Sequence, residues 1–108
     1  MAATNYTPKS VGGQLAATAA ALYTPATSKA GIVKNITLVN TDTAARTVNL
    51  YLNIGGTRRR ICPQNLSIAA GGMWTDDSVH VVTEPDSVDG DASVANVVDW
   101  SISVAEQQ

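Results

Sequence analysis

Two separate stretches of this chain alternate apolar and polar residues with a period of two, and that pattern constrains the fold more than anything else in the sequence. From Thr47 to Ile54, Val48, Leu50, Leu52 and Ile54 fall on one side, while Thr47, Asn49, Tyr51 and Asn53 fall on the other. From Val98 to Val104, Val98, Trp100, Ile102 and Val104 alternate with Asp99, Ser101 and Ser103. A period of two belongs to a strand with one dry and one wet face, whereas a helix would repeat every three to four residues. A third run puts Ile32, Ile36 and Leu38 on one face, with Lys34 interrupting, and Val33, Asn35, Thr37 and Val39 on the other. Asn40-Thr41-Asp42-Thr43 is turn chemistry, so Ile32 to Ile54 reads as an antiparallel hairpin.

Shorter strands follow. Gly55-Gly56 supplies the positive φ of a tight turn, and Arg58 to Cys62 return from it until Pro63, which cannot donate to a ladder. Leu66 and Ile68, Met73 to Thr75, and Val79 to Val82 are further short runs, separated by Gly71-Gly72 and Asp76-Asp77-Ser78. Pro85-Asp86 turns the chain, and Asp89-Gly90-Asp91 reads as a tight loop. The Ala-rich stretch from Gly13 to Thr24 has helical propensity, yet Leu15, Ala17, Ala19, Ala21 and Tyr23 alternate, and the absence of charge favours a strand. The expected fold is all-β, an antiparallel β-sandwich or jelly-roll-like barrel of seven to nine short strands. The expected organisation is an extended N-terminal arm over residues 1–12, one domain over 13–105 and a short tail over 106–108.

Composition narrows the function. The 108 residues are only 15% charged, against about 25% for a typical soluble domain. Surface that meets other proteins is depleted in Lys, Glu and Asp, so the deficit points to assembly. The net charge of −2 and pI near 5.0 argue against a nucleic-acid binder, which needs a basic surface. No apolar run is long enough for a membrane helix, and Met1 to Lys9 lack the features of a secretory signal.

With one histidine and one cysteine, few chemical constellations are open. His80, near Asp76, Asp77 and Glu84, is expected to sit on the polar face of a strand, since a metal site needs three or four converging ligands. Cys62 has no disulfide partner in the chain and is expected to be a buried, inert thiol. Asp86 to Asp91 lacks the spacing and the bidentate Glu of a calcium loop. No cofactor, metal or catalytic residue is therefore expected. In a strand, Arg58 and Arg60 share a face and Arg59 opposes them. Their guanidinium groups suit carboxylates, and the acidic stretches at Asp76-Asp77 and Asp86 to Asp91 are complementary in sign. Arg58, Arg59, Arg60, Tyr51 and Trp74 are the candidate interface residues. Tyr51 on its polar face could anchor an interface or stack on a sugar, and Trp100 shares the register of core residues.

Five segments stand out together: Ala21-Leu22-Tyr23-Thr24-Pro25, Val33 to Asp42, Ala45 to Leu52, Leu66-Ser67-Ile68-Ala69-Ala70-Gly71-Gly72 and Asp89-Gly90-Asp91-Ala92-Ser93. Taken together they resemble the small virion structural proteins of tailed bacteriophages. The resemblance spans Ala21 to Val104 and departs where Gly72-Met73 stands in place of Gly-Glu. It implies a non-enzymatic β-sandwich located in the virion and assembled in the host bacterial cytoplasm, and it transfers no functional residues. The expected role is capsid decoration or cement, with the major capsid protein or other virion proteins as partners and a homo-oligomer, a trimer at a symmetry axis, as the unit. Nucleic acid and membrane are not expected partners. A tail, collar or fibre-base component and a carbohydrate-binding surface module, using an exposed Tyr51 or Trp74, are the alternatives.

Overall fold

The computed structural model describes residues 5–108, so Met1 to Thr4 of the expected arm lie outside it. The described chain contains no helix and forms ten strands: β1 Tyr6–Gln14, β2 Ala20–Tyr23, β3 Ala30–Asn40, β4 Arg46–Ile54, β5 Thr57–Arg60, β6 Leu66–Ile68, β7 Met73–Asp76, β8 His80–Thr83, β9 Ser87–Ala92 and β10 Val98–Gln107. They make two antiparallel five-stranded sheets. Sheet A runs β1-β10-β3-β7 with β8 also on β3, and sheet B runs β2-β9-β4-β5 with β6 also on β4.

The order has a simple origin. β4 pairs with β5, β3 with β7 and β8, β2 with β9, and β1 with β10. The chain is thus one long nested hairpin, rolled so that successive pairs fall in alternate sheets. That is the double-sheet jelly roll. The all-β sandwich expected from the alternation is what the chain forms, with ten strands instead of seven to nine.

The inner faces meet in one core. Val48 and Leu50 come from β4, Val33, Ile36 and Leu38 from β3, Val98, Ile102 and Val104 from β10, and Val88 from β9, all buried. Across sheet A, Trp100, Leu38 and Trp74 form one inward row. The two longest alternations thus set both sheets.

Elsewhere the structure departs from the expectation. In β3 the core residue is Val33, with Ile32 outside, because β10 steps from Asn35 to Val33 and leaves Lys34 as an extra, unpaired residue. This β-bulge exchanges the two faces on either side of Lys34. Residues 6–14 are extended but are not a free arm. They run along β10 from Tyr6↔Gln107 to Gln14↔Asp99, which also brings Glu106 and Gln107 of the expected tail into the sheet. In the Ala-rich stretch Gly13 and Gln14 end β1 and Ala20–Tyr23 form β2, residues 15–19 between them are not strand, and of its alternating set only Leu15 and Tyr23 are buried. Asp89-Gly90-Asp91 lies inside β9. Gly90 serves packing there, since a Cβ would lie 3.0 Å from Leu22 Cδ1 and 3.1 Å from Leu50 Cδ2.

Candidate functional site

The outer face of sheet B carries most of the chain's polar chemistry, and the register explains why. Tyr51 stands opposite Asp89 on one side and Arg60 on the other, and Asn53 stands between Ser87 and Arg58. Three adjacent strands therefore present Arg, Asn/Tyr and Asp/Ser columns on one surface. Arg58 Nε donates to Asp89 Oδ2 at 2.7 Å, and Asn53 Nδ2 donates to the same oxygen at 3.3 Å. Ser87 donates to the other carboxylate oxygen. Asp89 is 1% exposed. Burial pushes its carboxyl up, but the bonds from Ser87, Arg58 and Asn53 outweigh this and hold it below the usual carboxylate range.

A second cluster adjoins the first. Asn49 Nδ2 donates to Asp91 Oδ1 at 2.9 Å, and the Tyr51 hydroxyl donates to Asp91 Oδ2 at 3.2 Å. Arg60 Nη1 donates to Asn49 Oδ1 at 2.6 Å and its guanidinium lies 5.2 Å from the Tyr51 ring centroid. Desolvation first, and then the Asp91 carboxylate, push the Tyr51 phenol up. Among the described residues no buried side-chain polar atom lacks a partner. The network is internal to one chain: Arg58 pairs with Asp89, and Arg60 bonds to Asn49, which in turn donates to Asp91.

The sequence-derived interface residues therefore separate. Arg58, Arg60 and Tyr51 come together, held by Asp89 and Asp91 from the segment expected to complement them. Arg59 points the opposite way, exposed and without a hydrogen-bond or ion-pair partner among the described residues. Trp74 is half-buried against the core beside Leu38, so it is not a surface anchor. The sequence offers Asp89 only as one of the acidic stretch Asp86 to Asp91, and does not mark Asn49 or Asn53 as site residues. The Asn residues are visible as the polar half of the β4 alternation, and the turn chemistry of Asp-Gly-Asp hides that Asp89 lies within a strand.

The remaining chemistry-bearing groups are dispersed. His80 Nε2 lies 2.9 Å from Asp76 Oδ2, with both side chains mostly buried. Asp76 feels burial first, but its bonds with His80 and Ser78 prevail and lower it. The Cys62 thiol is buried, and desolvation pushes it up. Among the described residues no three His, Cys, Asp or Glu side chains are grouped as metal ligands.

The outer face of sheet A is different. It bears Ser, Thr, Gly and Asn with few charges, and Tyr6, Met73 and Val81 are exposed on it by 41%, 66% and 63%. An open cleft of about 510 Å³ lies on this face, lined by Tyr6, Pro8, Ser10, Lys34, Ser103 and Ala105.

No known family matches the sequence, and no curated protein is similar to it. The fold does recur in solved structures. A chain from the acid-stable capsid of Helicobacter pylori bacteriophage KHP30 superposes with a TM-score of 0.56 at 14% identity, over 96% of this chain and 88% of that one. A chain of the Bacillus endospore appendages, which are disulfide-linked pili, superposes with a TM-score of 0.50 at 20% identity, over 98% of this chain and 89% of the other. At these identities the likeness is one of fold.

Proposed function

We propose that this chain is a structural protein of a bacteriophage virion, and that within the virion it decorates or cements the capsid shell. The observation that carries this reading is the shared fold with a phage capsid chain, which extends over 96% of this chain and 88% of that one. The phage-like segments between Ala21 and Val104 point the same way. The chemistry agrees with a non-enzymatic role, because the polar groups of sheet B saturate one another. A subunit that binds only the assembled lattice stabilises it by mass action, about 2.7 kcal/mol per site at a hundredfold excess over Kd. Repetition over a shell multiplies that term. The partners would be the major capsid protein or other virion proteins, on particles assembled in the host bacterial cytoplasm. Exposed Arg59 is the one member of the arginine cluster free to reach them.

Two other readings have less support. The pili of the Bacillus appendages are disulfide-linked, whereas the single cysteine here is buried. A sugar platform would need a free aromatic ring, but Tyr51 is bonded to Asp91 and Trp74 packs on the core.

The test is to purify particles from the source culture and probe them with an antibody raised against this chain. Labelling of heads at a fixed ratio to the shell protein is the expected result. Labelling of tails would replace decoration with a tail or collar role, and absence from the particles would overturn the virion reading.

A further inference from the structure

The outer face of sheet A is self-complementary, and we infer that two copies of this chain pack against each other through it. Strand register arranges this face in rows. The first row is Pro8, Ala105, Ile32 and Val81, on β1, β10, β3 and β8. The last row is Gln14, Asp99, Val39 and Met73, on β1, β10, β3 and β7. Between them lie two rows of small or uncharged residues, Ser10, Ser103 and Asn35, then Gly12, Ser101, Thr37 and Thr75.

Consider a two-fold axis lying in the contact plane, across the strands, between the two middle rows. It brings the first row of one copy over the last row of the other. Ile32 and Val81 then meet the partner copy's Val39 and Met73, so exposed Val81 and Met73 cover one another beside the half-buried Ile32 and Val39. Ala105 meets the partner copy's Asp99. Ala105 lines the open cleft, and so does Lys34, the bulged residue, which has no hydrogen-bond or ion-pair partner among the described residues. Asp99 is exposed, and among the described residues its carboxylate accepts one bond, from Gln14 Nε2 at 3.1 Å. One rotation thus seats an under-used carboxylate in the cleft of an unpaired ammonium, twice per pair, as an isologous contact requires. The small middle rows let the sheets approach to the usual face-to-face spacing of about 10 Å.

The bulge has a role in this arrangement. The extra residue re-aims a side chain and presents Lys34 where regular alternation would not. The rows span about 20 Å along the strands and about 19 Å across them, about 380 Å² on each copy, which is below the size of stable interfaces and in the range of weak, transient ones. The free pair is therefore expected to be weak, with a Kd in the micromolar range. This contact favours a two-fold unit over the trimer expected from sequence, and it stands whether or not the chain rides on a virion.

Sedimentation of the isolated full chain over a concentration series tests it, with urea melts to show that every variant folds. Reversible dimers are expected for the parent. Lys34→Glu and Asp99→Lys each place like charges at both copies of the contact and should raise Kd at least about tenfold. The double variant Lys34→Glu/Asp99→Lys restores opposite charges and should return Kd to within about threefold of the parent. A chain that stays monomeric throughout, single reversals without effect, or a double variant as weak as the singles would each overturn the inference.

Discussion

Tyr23 of sheet B donates its hydroxyl proton to Glu106 of sheet A across a distance of 2.6 Å, joining the two sheets at the end of the sandwich where β1 and β10 begin and end. Glu106 also pairs with Lys9 at 3.4 Å. The Tyr23 bond, with help from Lys9, holds Glu106 below the usual range, while burial and the carboxylate push the Tyr23 phenol strongly up. Tyr23→Phe keeps the ring and removes this bond. It is expected to cost about 1.5–3 kcal/mol, the range for a hydrogen bond to a charged group, as read from urea denaturation at neutral pH.

The carboxyls of Asp42, Asp76, Asp89 and Glu106 are all lowered from ordinary values of 3.8 for Asp and 4.5 for Glu. Each therefore contributes stability that is present above its unfolded value and is lost as pH falls through its folded value. Melting temperature should be flat near neutrality and fall steadily below about pH 4. A melting temperature that rises on acidification would contradict this assignment of the ionised forms.

Among the described residues, Arg58 supplies the one cation paired with buried Asp89. Arg58→Met keeps much of the apolar stem and strands the carboxylate with its neutral donors. The expected loss is about 1.5–3 kcal/mol. Arg59→Met, next in sequence but exposed, should stay within about 0.5 kcal/mol. Equal effects at the two positions, measured by chemical denaturation, would show that the Asp89 network contributes little.

Gly90→Ala adds a methyl between Leu22, Leu50 and the Asn49 carbonyl, at 3.0, 3.1 and 3.2 Å. Overpacking of this kind typically costs about 1–3 kcal/mol. Gly55→Ala meets nothing within 4 Å but sits at φ 61°, so its cost is one of backbone strain, about 1 kcal/mol. Comparing the two melts separates packing from backbone effects.

Cys62 is buried and its thiol is pushed up by desolvation. A thiol reagent should label the native chain slowly and the urea-unfolded chain fully, at the same pH. Rapid native labelling would place the sulfur at the surface.

The fold was legible where a strand was long. The alternations at Thr47–Ile54 and Val98–Val104 assign a face to each residue because one register error would expose a whole set of apolar side chains. β7 has four residues, too few for a period to fix a face, so Trp74 was read as a surface residue when it lies inward. At Lys34 the interruption was visible, but a bulge and a charged residue within a regular strand look alike in sequence. Asp-Gly-Asp carries turn residues, and only the close approach of Leu22 and Leu50 shows that the glycine is required by packing. The shared surface of Arg58 and Arg60 was half visible, since spacing placed both on one face, and Arg58 pairs with Asp89 there while Arg60 bonds to Asn49. Which groups they meet depends on β5 and β9 lying on either side of β4, a long-range fact with no local signature.

The nested pairing has a kinetic consequence. Ile54 and Thr57 close a tight turn, whereas Gln14 and Asp99 are 85 positions apart. Loop-closure entropy grows with that separation, so the barrier is lowest at the middle of the sequence. Zipping outward from β4 and β5 makes β1 the last strand to dock, and until then β10 presents an unpaired margin along its whole length.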